Sequence, residues 1–348
     1  MRKLLVAILL GSLFSACSTG GGDKGIRLDL SKKKKIINYS EIVDSIKTIP
    51  LETTKEYLVG AVDQIQMDDS LIFILDARQR TIFIFNESGK YVTKIAHEGK
   101  GEGEYVAISS FCLDITKKLL CLQDGAQRKI VRYSYRGNYV STLKYEADRI
   151  VREMGILPNR NLIFITPGYE INYTDAIWEV DSLGNRLKSL VKSNPNHQFM
   201  FIPRPYHSNL DGVIRFYDGY TNDLFSIVND EVRLESHFDL VQRIPEKYLK
   251  NRDGYKHSGT GNYYMNNHMA ENQTFFYLRF KSNNKGEVNV FFNKKTKRLW
   301  VADQVVDDIN RGPSPTGIYT WSKDALLAVV WPEDGKLNPE LQLLYMKS

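Results

Sequence analysis

Short apolar runs separated by polar turns repeat along most of this chain. Residues 71–75 read Leu-Ile-Phe-Ile-Leu, a polar turn opens at Asp76, a second apolar run covers 81–85, and a hairpin turn at Gly89 leads into a half-polar stretch at 91–95. The order recurs with an apolar run at 119–122, Asp124, a second run at 130–133 and a turn at Gly137. Aligned on Asp76 and Asp124, the two units also match at Gln79 and Gln127, Arg80 and Arg128, Ile82 and Ile130, Phe85 and Tyr133, Gly89 and Gly137, Tyr91 and Tyr139, and Val92 and Val140. Weaker copies follow at 177–185, at 218–227 and from Val290. Continuous apolar runs of this length suit strands buried on both faces, and they predict the inner strands of packed sheets.

The turn residues Gly89, Gly137, Gly184, Glu231 and Thr296 fall at spacings of 48, 47, 47 and 65. A unit of this length made of several short strands cannot bury both faces alone and must stack on its neighbours, which is the mark of a β-propeller. The expected architecture is all-β: a six-bladed β-propeller of four-stranded antiparallel blades over residues 40–348. Aligning Tyr345 with Phe85 puts the next hairpin turn past Ser348, so the last blade lacks its outer strand. Residues 46–51 (Ile-Lys-Thr-Ile-Pro-Leu) are predicted to supply it and close the ring, with Pro50 tolerated on an edge strand. The excess in the longest spacing marks an insertion near 245–272, before the fifth blade.

The first sixteen residues have a basic start (Arg2, Lys3), an apolar stretch at 4–10 and small residues at Ser15 and Ala16, a secretory signal too short to span a bilayer. Phe14-Ser15-Ala16-Cys17 resembles a bacterial lipobox, which implies diacylation of Cys17 and anchoring in the outer membrane; residues 17–39 are expected to form a flexible tether. The net charge is +6, and removing the signal leaves 45 basic and 41 acidic residues, or +4. Lys32, Lys33, Lys34 and Lys35 form a basic run that either holds anionic headgroups or lies solvated. No basic face recurs in the repeats, so no nucleic-acid partner is expected.

If Asp114 pairs with Leu119 across a turn, Cys112 falls opposite Cys121; a disulfide and a pair of buried thiols are both open. The six histidines (His97, His197, His207, His237, His257, His268) show no metal-ligand spacing. Residues 99–103 are glycine-rich but carry Glu102, with Glu104 next to them, where a phosphate would sit. No metal, cofactor or catalytic residue is assigned. Propeller enzymes gather single residues from several blades, which leaves no local motif.

Residues 40–76, the strand pair ending Phe-Asn-Glu-Ser-Gly-Lys-Tyr-Val (85–92), the loop 99–105 (Gly-Lys-Gly-Glu-Gly-Glu-Tyr) and Asn338-Pro339-Glu340-Leu341 resemble the six-bladed β-propeller lipoproteins abundant in anaerobic gut bacteria. The blade pattern is also similar to NHL and TolB-like propellers, and NHL relatives bind proteins, peptides or RNA. The resemblance implies the fold and a cell-envelope address. In that family the loop commonly has proline where this chain has Glu102.

Candidate ligand contacts come from loops that open around the central channel. They are Arg78, Arg80 and Arg128 in the turns after Asp76 and Asp124, Tyr105 in the glycine-rich loop, and Tyr255, His257, Tyr263 and Tyr264 in the insertion. For Arg80 and Arg128 the competing account is an Asp–Arg pair bracing the turn. The turns themselves are expected to follow inner strands, at the end of the channel opposite the glycine-rich loop. The function expected is a monomeric, lipid-anchored binding or interaction module for a glycan or a peptide. The alternative is a propeller hydrolase or lyase acting on a carbohydrate or lactone.

Overall fold

The structure, a computed structural model, describes residues 25–348 apart from 69, 148–150, 167–174, 193–206, 211, 220, 229–230, 249–252, 255–256, 258–260, 283–285 and 334–336. Three strands come first: β1 (Ile26–Leu28), β2 (Lys34–Asn38) and β3 (Val43–Pro50). Blade one follows as β4 (Gln64–Asp68), β5 (Leu71–Asp76), β6 (Thr81–Asn86) and β7 (Tyr91–Ile95), and blade two as β8 (Ser110–Asp114), β9 (Leu119–Asp124), β10 (Lys129–Ser134) and β11 (Tyr139–Lys144). Blade three is β12 (Glu153–Ile156), β13 (Leu162–Ile165), β14 (Asp175–Val180) and β15 (Arg186–Lys192). Blade four is β16 (His207–Leu210), β17 (Val213–Asp218), β18 (Asp223–Val228) and β19 (Glu231–Leu240). Blade five is β20 (Met265–Glu271), β21 (Phe275–Ser282), β22 (Gly286–Asn293) and β23 (Leu299–Val306). Blade six holds β24 (Gly317–Thr320), β25 (Ala325–Val330) and β26 (Glu340–Met346), completed by β3.

Six antiparallel blades therefore form the ring, as the repeat spacing requires. The hairpin glycines explain why that spacing is visible. Gly89, Gly137 and Gly184 sit at φ of +80°, +84° and +93°, where a side chain is strained, in the turns before the outer strands of blades one to three. Six apolar clusters lie one at each blade-to-blade interface, for example Phe73, Ile84, Phe111 and Leu122 between blades one and two. Each blade buries both faces, so the second strands of blades one, two, three and six read as continuous apolar runs.

Ring closure follows the sequence expectation. β3 pairs antiparallel with β26, setting Pro50 opposite Glu340, Ile49 opposite Leu341 and Ile46 opposite Leu344. Ile49 and Leu51 enter the cluster between blades six and one.

Two expectations are corrected. The runs at 71–75 and 119–122 are the second strands of their blades; the innermost strands are the more polar β4 and β8. Residues 25–39 are also not a loose tether. β1 adds in parallel to the outer edge of blade four and β2 to that of blade five, making both sheets five-stranded. Leu28 and Leu30 fill the interface between blades four and five, and Ile37, Tyr39, Ile42 and Val43 fill the next. The basic run is largely paired: Lys32 with Asp29, Lys33 with Asp303, and Lys34 with Glu41. Cys112 and Cys121 lie opposite each other as the spacing predicts, and they are two buried thiols without a bridge. Their mutual hydrogen bond, then burial, push the Cys112 thiol up, so it stays protonated. No helix among the described residues is long and apolar enough to cross a membrane.

A chain starting at Tyr39 keeps β3 but loses the buried Leu28, Leu30 and Ile37. Its stability should fall by about 5 kcal/mol, a large share of a typical domain's 5–15 kcal/mol. Urea unfolding of this chain beside one starting at Gly25 measures the difference; equal midpoints would show that the strap contributes nothing.

Candidate functional site

Only the channel-facing edge of each innermost strand lacks a sheet neighbour, so polar side chains are tolerated there. Together these strands line a central cavity of about 690 Å³ that reaches from Val62 and Asn266 to Asp68 and Trp321. Some of its polar groups are committed to the ring. Gln64 and Gln66 donate to the Phe111 carbonyl, and Gln64 accepts from the Phe111 amide, tying blade one to blade two. Asp68 takes the Lys118 ammonium at 2.9 Å and the Tyr135 hydroxyl at 2.6 Å.

The wall made by blades five and six is different. β20 carries a bulge between Asn266 and His268, which inserts Asn267 out of register with β21; bulges of this kind re-aim side chains and are frequent beside functional sites. Asn267 Nδ2 donates to Glu287 Oε1 at 3.2 Å, and Arg279 Nε stands 3.7 Å from Glu287 Oε2. A carboxylate only accepts, so Asn267 must turn its amide nitrogen to Glu287, which leaves Oδ1 unused. Asn267 Oδ1 and Arg279 Nε are both buried without a hydrogen-bond partner among the described residues, and both residues line the cavity. Arg279 is held in place by Nη1 donating to the Thr316 carbonyl at 3.1 Å.

His268 lies between them in the ladder, opposite Arg279. Its Nε2 donates to the Ile318 carbonyl across the interface with blade six, and its ring meets Tyr319 edge-on at 5.2 Å. Burial, then the Arg279 charge, lower its pKa to about 4, so the imidazole is neutral near pH 7.

The sequence-predicted residues divide sharply. Because β5 and β9 are second strands, the turns after Asp76 and Asp124 open on the same face as the 99–105 loop, not at the far end. Asp76 accepts from the Gly60, Ala61 and Gln79 amides and from the Gln79 side chain; Asp124 accepts from Val106, Ala126, Gln127 and the Gln127 side chain. The repeated brace is thus Asp with Gln, and it ties each turn to the preceding loop. Arg80 and Arg128 recur for backbone reasons, at φ of +51° and +52°; Arg80 pairs with Glu98, while Arg78 and Arg128 are exposed. Tyr105 is fully buried, its hydroxyl sharing its one proton between the Arg80 and Ile95 carbonyls and accepting from the His97 amide, so it is a strut and not a ligand contact.

The insertion is shorter than expected, since residues 265–271 form β20. Tyr264 is buried in the cluster between blades four and five, so it belongs to the core. Tyr263 is half-buried with its ring 6.0 Å from Tyr248, and His257 is exposed with Nδ1 near the Asp253 carbonyl. Tyr255 and Cys17 lie outside the described residues. Among the described residues no group of three or more His, Cys, Asp or Glu side chains is placed to hold a metal.

Residues 25–341 match the model of a domain of unknown function, DUF4934, and the chain belongs to that family. A protein of Bacteroides fragilis assigned as exported superposes with a TM-score of 0.75 at 17% identity, covering 90% of this chain and 100% of its own. A DUF4221 family member from Bacteroides vulgatus superposes with a TM-score of 0.56 at 11% identity, covering 88% and 97%. At these identities the likeness is one of fold. No curated protein matches the sequence.

His268 gives a pH dependence with a defined sign. A base whose folded pKa lies below its unfolded value of about 6.5 contributes stability that is present above 6.5 and lost as pH falls toward about 4. His268→Gln removes that titration, so the fall in Tm between pH 7 and pH 4 should be smaller in the variant by the equivalent of about 2 kcal/mol. Parallel Tm-against-pH curves for the two proteins would refute the assignment.

Proposed function

We propose that this propeller is a cell-envelope binding module, carried on a lipid at Cys17, that holds a glycan or a peptide in its central cavity. The observation that carries the reading is the central cavity of about 690 Å³, whose wall sets the rings of Tyr319 and Trp321 beside polar side chains such as Asn266 and Arg279. Concave sites with aromatic walls and a few polar side chains are where ligands are usually held. The hydrolase or lyase alternative finds less support here: His268 is spent on the Ile318 carbonyl and, with a pKa of about 4, is a weak base near neutral pH.

The address rests on the signal and the lipobox-like run before Cys17, and the export assigned to the Bacteroides fragilis neighbour fits it. Gly25 packs against His237 at the outer edge of blade four, so a lipid-borne stem would meet the domain at its rim and leave the channel mouth uncovered.

Two measurements check the two parts. Met67 lines the cavity, is 38% exposed and belongs to no core cluster, so Met67→Trp should fill the channel without unfolding the ring. On a glycan and peptide array, every ligand captured by the wild type should be lost by this variant; retained capture would place the site elsewhere. For the anchor, cells fed labelled fatty acid should label the wild type and not Cys17→Ser, and equal labelling would refute acylation at Cys17.

A further inference from the structure

We infer that the outer rim of blades four and five is a docking face for anionic phospholipid headgroups, which holds the propeller edge-on to the bilayer; this rests on the acylation at Cys17 proposed above. On that rim β1, the turn after it and the start of β2 form a groove of about 490 Å³ with the first residues of β23. Its lining carries the cations Arg27, Lys32, Lys34 and Arg298 against a single carboxylate, Asp29. The side chains of Arg27, Lys32 and Lys34 are 70%, 82% and 64% exposed. Arg298 is exposed as well, its guanidinium 4.6 Å over the Trp300 ring. All four are open to a surface laid against the rim.

The nearby carboxylates do not cancel this charge. Asp29 Oδ1 is engaged by the Ser31 amide and hydroxyl and by the Gln242 side-chain amide, and Lys32 stands 3.9 Å from Oδ2. Asp239 and Glu41 reach Arg27 and Lys34 at 3.4 and 3.1 Å without lining the groove. Even with them the cations are in excess, and Lys35 is exposed next to Lys34 in the chain. Exposed pairs of this kind are weak, and a headgroup phosphate accepts from the two guanidinium groups in the same two-pronged way as a carboxylate. Chain length selects the same rim. Eight residues lead from Cys17 to Gly25, which packs against His237 at the edge of blade four, so the acylated end lies within about 29 Å of that edge. Attraction to a charged bilayer fades beyond a Debye length, about 8–10 Å, so cations on the far blades gain little from the same surface.

The test is co-sedimentation of the mature chain carrying Cys17→Ser, so that no acyl chain holds it, with vesicles of phosphatidylcholine alone or mixed equally with phosphatidylglycerol. The mixed vesicles should carry the chain down at about 0.1 M salt and release it at about 1 M, where screening leaves a range of about 3 Å. Pure phosphatidylcholine should carry none. Each cation near a charged surface is worth about fivefold in partitioning. Arg27→Gln, Lys32→Gln and Lys34→Gln together should therefore lower it by at least about tenfold, after allowance for their carboxylate partners. Lys90→Gln, Lys117→Gln and Arg136→Gln, all exposed on blades one and two, should change it by less than about twofold. Should the first variant melt lower than the parent, Lys32→Glu, at the most exposed of its positions, decides by a loss of about tenfold. Equal losses in the two triple variants overturn the face, because they would show attraction of the whole basic chain. Equal sedimentation with neutral vesicles, or none with either, overturns the headgroup as partner. Inorganic phosphate bound in calorimetry without sedimentation makes the groove a small-anion site and overturns docking. The fatty-acid label reads the anchor separately: a chain labelled at Cys17 but indifferent to phosphatidylglycerol loses the face and keeps the anchor, and the reverse result loses the anchor alone.

Discussion

The pairing of β3 with β26 is the contact on which the rest of the ring depends. Each apolar cluster needs a blade on both sides, so a propeller is stable only when the last blade meets the first. Blade six has three strands from the C-terminal end of the chain, and its fourth comes from residues 43–50. A slip of one residue in that pairing would turn Ile49 away from the interface with blade one. The N-terminal segment goes further than closure. On its way to blade six it contributes Leu28, Ile37 and Ile49 in turn to three successive interfaces, so one stretch of chain clasps half the ring.

Features that the ring imposes on every blade were legible in the chain. A hairpin glycine at positive φ and a second strand buried on both faces recur because the geometry recurs. The innermost strands did not announce themselves: β4 and β8 are short and mixed, since one edge faces the channel. Nor did the strap. Strand addition to an outer edge buries alternate residues singly, and between Leu28 and Ile37 the chain carries four consecutive lysines, so the segment reads as a polar stem. Its partners β19 and β23 lie more than 200 residues away, and no local pattern encodes that pairing.

Recurrence misled the reading of side-chain roles for a related reason. Arg80 and Arg128 occupy matching places because the turn needs a left-handed residue there, and the bracing contacts belong to Gln79 and Gln127. Tyr105 stands in a glycine-rich loop, as a ligand contact would, yet all its hydroxyl's bonds go to backbone. The cavity cluster left no motif at all. It joins a bulge in β20, the second strand of the same blade and a carboxylate on the third, and only the folded sheet brings Asn267, Arg279 and Glu287 together.

Orphaned buried atoms are not by themselves a site, and their location separates two kinds. The Tyr39 hydroxyl and Trp300 Nε1 also lack hydrogen-bond partners among the described residues, but both residues belong to the cluster between blades five and six, where large rings fill space; Trp300 is further covered by the Arg298 guanidinium 4.6 Å from its ring. Burying their apolar bulk outweighs one missing hydrogen bond. Asn267 and Arg279 bring no such bulk to a core. Each is a polar side chain held by a partner within or beside the sheet, Asn267 in the bulge of β20 and Arg279 on the neighbouring strand β21. Their unpaired atoms mark where the bulge upsets the ladder between β20 and β21, a local departure from regular pairing of the kind found beside functional sites.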